Sequence, residues 1–154
     1  SNAAATQIDQ SNFTIFSVFI RNNTGSEEHV LFGPFAGGRG VQPTGVAFVF
    51  VKNQVVAIGS AYVSLLASTT SIVTSLDYNS SGTGNFYFNN SNVGTINNSQ
   101  VFTAGSFIFV GANFNSQFFN GDILEVLYYN SVLSAGSRNL VANYLAGKYA
   151  VWGT

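Results

Sequence analysis

The chain has 154 residues, the length of one ordinary domain, and only 7% of them are charged against 46% hydrophobic, where soluble proteins typically carry about 25% charge. Five basic and six acidic side chains give a formal net charge of −1, too little to neutralise a run of phosphates or to hold an anionic membrane surface, so nucleic-acid binding and polybasic membrane attachment are excluded. There is no cysteine, hence no disulfide frame, no thiolate metal site and no Cys nucleophile.

Ser1, Asn2 and Ala3 look like the scar of a cleaved affinity tag and carry no fold information; residues 4–154 are expected to form a single domain. Residues 12–20 read as a strand, with Ile15, Ser17 and Phe19 on one side and Phe16, Val18 and Ile20 on an entirely apolar other side. A second strand is expected at 29–32. Residues 46–51 and 55–58 flank Lys52, Asn53 and Gln54, the spacing of a short-loop hairpin rich in β-branched residues. Strands follow at 61–66 and 69–76, then at 84–88 and 92–96 across an Asn-rich turn, then at 106–111 and 123–129. The chain ends in a helical pattern. Ser134 is placed to cap it, Val141, Leu145 and Tyr149 recur at i, i+4 and i+8 with Tyr144 beside them, and Lys148 lies near its C-terminal end.

Nine or ten short strands and one helix point to an all-β chain of two antiparallel sheets packed face to face, with the helix outside. No stretch reaches the roughly 18–20 apolar residues that a membrane-crossing helix needs. An outer-membrane barrel is disfavoured by the helical end and by irregular intervals between turns. Solubility must rest on neutral polar groups: Asn, Ser and Thr number 18, 18 and 11, and no charged residue occurs between Tyr78 and Gly121.

Residues 119–152 read FNGDILEVLYYNSVLSAGSRNLVANYLAGKYAVW and resemble the C-terminal strand and helix of the laminin-G-like jelly rolls in the concanavalin A-like lectin and glucanase superfamily. The residues that carry the resemblance are Gly121, Ile123, Glu125, Val126, Tyr129, Asn130, Leu133, Ser134, Val141, Tyr144, Leu145, Lys148 and Tyr149. Residues 72–95, with Asp77, Phe86, Tyr87, Phe88 and Asn89, are similar to the family's strand pair ending in an Asn-Gly turn, which here reads Asn89 and Asn90. Residues 13–19 look like its early strand. The resemblance implies a two-sheet antiparallel jelly-roll sandwich with one short C-terminal helix. One departure is Ser137, which stands where the family has Glu, so half of a reciprocal capping box is lost.

Such folds host lectins, glycanases and adhesive modules alike, so function has to come from the site. Glycanase chemistry needs two carboxylates a few ångströms apart. Glu27 and Glu28 are adjacent, and Asp122 and Glu125 are separated by an odd number of residues, so on regular strands each pair diverges to opposite faces. His29 is the single histidine and no serine sits in a nucleophile-elbow context. No catalytic residue and no cofactor are expected. Calcium would need an Asp-rich loop; Asp77 and Asp122 are the plausible anchors, both read better as turn-formers, and no metal is expected.

The chain is rich in what neutral sugars require, amides for their hydroxyls and aromatic faces for their C–H surfaces. Polar loops with that mixture span residues 22–28, 35–42, 77–85 and 113–120. From them Arg39, Tyr78, Asn79, Asn115 and Gln117 are the candidate ligand contacts. Five sequons, at Asn12, Asn22, Asn79, Asn89 and Asn97, are what chance supplies in so Asn- and Ser-rich a chain. The expected function is a non-catalytic, extracellular or surface-exposed carbohydrate-binding or adhesion module, such as the receptor-binding tip of a fibre. Its partner would be a glycan or cell-surface receptor, with a homotrimer or flanking domains around it. The alternative is a structural or assembly domain of a phage-type tail fibre or secreted surface protein, with no glycan ligand.

Overall fold

The computed structural model describes residues 12–21, 28–35, 48–51, 54–57, 62–64, 72–97, 107–111 and 119–151. The chain is mostly antiparallel β with one C-terminal helix. In chain order the strands are β1 (Phe13–Arg21), β2 (Glu28–Phe35), β3 (Phe48–Val51), β4 (Gln54–Ala57), β5 (Tyr62–Ser64), β6 (Ile72–Tyr78), β7 (Thr83–Phe88), β8 (Ser91–Asn97), β9 (Phe107–Val110) and β10 (Gly121–Tyr129), followed by α1 (Ala135–Tyr149). They hydrogen-bond in the orders β10-β1-β6-β7-β8 and β5-β4-β3-β2-β9.

Every strand expected from the sequence is present, with two instructive differences in length. β2 runs on through Gly33 and Pro34 to Phe35. A proline in a strand flanked on both sides is unusual because it has no N–H to give. Here β3 pairs only as far as Phe32, so Pro34 faces one neighbour, β9. β6 likewise continues to Tyr78, because Asp77 and Tyr78 find partners in both β1 and β7.

β1 and β6 lie inside the first sheet and are buried on both faces. One face carries Phe16, Val18 and Val73, and onto them α1 sets Ala142, Leu145 and Ala146, with Leu127, Tyr129, Val141 and Tyr149 packed around this cluster. A fully buried side chain such as Leu145 contributes about 1.5–3 kcal/mol by leaving water. The opposite face holds Phe13, Ile15, Phe19, Ile72, Leu76, Tyr78 and Phe86, none more than 4% exposed. Across it Phe13 stacks between Tyr78 and Tyr128, with ring centroids 5.6 and 5.7 Å away. The polar members of this face are also satisfied: Ser17 and Thr74 bond to each other at 2.6 Å.

The helix begins as its sequence suggests. Ser134 is extended and its Oγ accepts the Ser137 N–H at 3.2 Å; the same hydroxyl donates to Ser137 Oγ at 3.0 Å. Ser134→Ala should therefore cost about 1 kcal/mol, seen as a lower denaturation midpoint with an unchanged slope. The buried stripe differs from expectation. Arg138, Ala142, Leu145 and Ala146 face inward, Val141 and Tyr149 are half-buried, and Tyr144 points outward at 60% exposure. Small alanines bring the helix close to the sheet and rotate its contact line away from Tyr144.

The Asn89–Asn90 turn between β7 and β8 has positive φ at both residues, 45° and 64°. That is the mirror-image turn that matches the twist of a hairpin, and asparagine tolerates it better than most residues. Asn89 also ties the turn to β6, its Oδ1 accepting the Val73 N–H at 3.1 Å.

Candidate functional site

Loop β6–β7 is the one expected binding loop that falls within the described residues. Its centre is Asn79, whose Oδ1 accepts from Ser81 N at 3.0 Å, Ser81 Oγ at 2.6 Å and Thr83 N at 3.1 Å. This is an Asx turn in which the side chain copies a backbone carbonyl. Asn12 braces the same loop by accepting the Ser80 N–H at 3.1 Å. The oxygen of Asn79 is thus committed to shaping the loop, and its amide nitrogen takes no part in these three bonds. Tyr78 departs from expectation. It is the last residue of β6 rather than a loop residue, 2% exposed and stacked on Phe13, and burial raises its phenol pKa. Arg39, Asn115 and Gln117 lie outside the described residues.

The acidic residues are where sequence reading and structure differ most. Asp77 is no turn-former. It sits within β6, 4% exposed, and its carboxylate accepts from Thr14 Oγ1 at 3.0 Å and from Arg138 Nη1 at 2.9 Å. Arg138 comes from α1 and lays its guanidinium over the Tyr87 ring, 3.7 Å from its centroid. Thr14 Oγ1 in turn accepts the Leu133 N–H at 3.0 Å, so one buried network joins β1, β6, β7 and the start of the helix. Desolvation raises the Asp77 pKa against the lowering effects of Thr14 and Arg138. The signal for Arg138 was present: it falls four, seven and eleven residues before Ala142, Leu145 and Tyr149, on the inward stripe.

Asp122 and Glu125 do not diverge as regular alternation predicts. The β1–β10 register shifts so that Val18 faces Glu125 while Phe19 faces Ile123, which leaves Leu124 as an extra, bulged residue. Asp122 opposite Ile20 and Glu125 opposite Val18 then share a face, since Ile20 and Val18 do. Glu125 is nevertheless engaged: Lys148 Nζ donates to its Oε2 at 2.9 Å, which holds its carboxyl pKa below the ordinary value and the Lys148 pKa above its own. The bulge itself is covered, Tyr149 donating its hydroxyl to the Leu124 carbonyl at 3.3 Å. Among the described residues no three His, Asp or Glu side chains gather as metal ligands, and no described helix is long and apolar enough to cross a membrane.

Both edges of the first sheet carry such a bulge. β8 pairs Gly94 with Phe86 but Asn92 with Tyr87, so Val93 is the extra residue. Bulged edges resist further strand addition, which matters at β8, where the sequence supplies no charge to do so.

No family model and no curated protein matches this chain. Solved structures do share its fold. Trypanosoma rangeli sialidase in complex with the inhibitor DANA superposes with a TM-score of 0.70 at 12% identity, over 86% of this chain and 23% of that one. Botulinum neurotoxin type C, which depends on interaction with two ganglioside molecules to enter cells, gives a TM-score of 0.64 at 12% identity, over 88% of this chain and 36% of that one. The binding domain of botulinum neurotoxin DC in complex with SialylT gives 0.65 at 12% identity, with the same coverages, 88% and 36%. The chain thus spans about a quarter to a third of the proteins it resembles, and identities this low carry the fold and no catalytic role.

Proposed function

We propose that this chain is a two-sheet jelly-roll sandwich of the laminin-G-like kind, residues 4–154 forming one domain, that serves as a non-catalytic, extracellular carbohydrate-binding or adhesion module. The observation that carries the reading is how the charged groups are used. Among the described residues Asp77 and Arg138 are consumed in docking the helix and Glu125 is bonded to Lys148, so these charges serve structure, while amides and hydroxyls shape the described turns. The doubly buried first sheet supports the sandwich, because the face away from α1 must be covered by another layer. The likeness in fold to the binding domain of botulinum neurotoxin DC in complex with SialylT supports the ligand class.

Hydrogen bonds to the sugar are assigned to Arg39, Asn79, Asn115 and Gln117, with Tyr78 supporting the loop from beneath. A single shallow site of this type binds weakly, because each hydrogen bond replaces one to water, and useful attachment needs several copies on a trimer or fibre. A glycan array probed with the chain displayed on multivalent particles tests this: related sugars should be retained, and alanine at Arg39, Asn79, Asn115 and Gln117 together should weaken retention while circular dichroism stays unchanged. A silent array with a stable trimer in solution would favour a structural or assembly domain instead.

A further inference from the structure

Resting on that carbohydrate-binding reading, the geometry points to the outer rim of α1 and β10, centred on Tyr144, as the stacking platform for a neutral pyranose. A sugar ring that presents consecutive C–H bonds on one side binds where an exposed aromatic face lies beside a fixed donor and a fixed acceptor. Loop β6–β7 lacks the aromatic half of this requirement, since Tyr78 is internal. Tyr144 stands mostly in solvent at 60% exposure, and Leu140, one helical turn earlier, is 74% exposed and extends the apolar surface.

The ring has an organised surround. Lys148 Nζ lies 5.8 Å from the Tyr144 centroid and 5.2 Å from that of Tyr149, while it donates to Glu125 Oε2 at 2.9 Å. Tyr149 is held in turn by its bond to the Leu124 carbonyl. An ammonium has three N–H donors and a carboxylate two oxygens; the Lys148–Glu125 bond uses one of each and Tyr149 also engages both groups, which still leaves donor and acceptor capacity next to the ring. The paired charges cancel. An anionic sugar would gain Lys148 but meet Glu125, whereas the hydroxyls of a neutral one can use both. Regular alternation with Leu127 and Tyr129 sets Glu125 on the side from which α1 approaches.

The test is an array of immobilised lactose, N-acetyllactosamine and their sialylated forms, probed with multivalent wild type, Tyr144→Ala and Tyr144→Phe. Wild type should retain the neutral glycans without needing sialic acid. Tyr144→Ala should lose roughly tenfold in apparent affinity, a stacking contribution of about 1.4 kcal/mol, and Tyr144→Phe should keep it. Neither variant should move the melting temperature, because the side chain is exposed. If wild type binds and Tyr144→Ala binds equally well, the platform is overturned while the carbohydrate-binding reading stands. Binding confined to the sialylated forms overturns the neutral ligand, and a wild type that retains no glycan overturns the site together with the reading on which it rests.

Discussion

Asp77→Ala should destabilise the fold by about 3–5 kcal/mol, the usual consequence of removing one partner of a buried ion pair. Its side chain is 5% exposed and that of Arg138 11%, so the variant strands a guanidinium under the helix. The cost arises from the charge left behind rather than from the strength of the pair. Burial is the largest influence on Asp77 and raises its pKa, and Arg138 Nε is buried with no hydrogen-bond partner among the described residues, so the pair is imperfectly satisfied. Asp77→Ala combined with Arg138→Met should therefore recover most of the loss. The sign with pH follows: a folded pKa above the unfolded one means that the folded state binds the proton more tightly, so this group's contribution is fully present below the ordinary carboxylate range and is lost as pH rises through its raised value. Urea denaturation of wild type and the two variants across that range checks both statements, the pH-dependent difference between wild type and Asp77→Ala reporting the carboxyl. A loss below about 1 kcal/mol for Asp77→Ala would mean that α1 shifts to let water reach Arg138.

Gly121→Ala should cost more than about 3 kcal/mol, the range reserved for severe steric conflict. A Cβ at Gly121 would fall on the carbonyl oxygen of Ile20 and within 2.8 Å of Phe119 Cε1, at a φ of +156°. Relief requires β10 to move away from β1 or Phe119 to leave its edge-on contact with Phe19, 5.5 Å between ring centroids. Neither is cheap, because β10 also supplies Leu127 and Tyr129 beneath the helix. For a chain of this size the loss corresponds to a fall in melting temperature of about 6–12 °C. Amide exchange should accelerate along β10 before β6, and a variant that melts with wild type would refute the close approach.

Strand identity and helix position were legible because they depend on local periods. Alternation in Phe13–Arg21 and the Ser134 cap are readable from a few neighbouring residues, and so is the turn at Asn89 and Asn90, where two asparagines can accept left-handed backbone. The inward stripe of α1 was partly legible: Leu145 follows from periodicity, but the outward turn of Tyr144 depends on how closely the sheet lets Ala142 and Ala146 approach.

What only the tertiary structure decided involves residues brought together across long separations or displaced by irregular pairing. Asp77 and Arg138 are 61 residues apart, and neither burial nor partnership can be read from the neighbours of either. The Leu124 bulge reverses the side assigned to Asp122 relative to Glu125, since a period-two count holds only while pairing is regular. Tyr78 illustrates the same limit: beside Asn79 and two serines it reads as loop, yet pairing with Phe13 and Gly84 draws it into the core. Composition by itself determined a charge-poor β chain whose surface is amide and hydroxyl, because those properties are sums over residues. Which of its few charges hold the helix down, and which stand beside an exposed ring, was decided by packing, because a charge is spent or free only according to what the fold places against it.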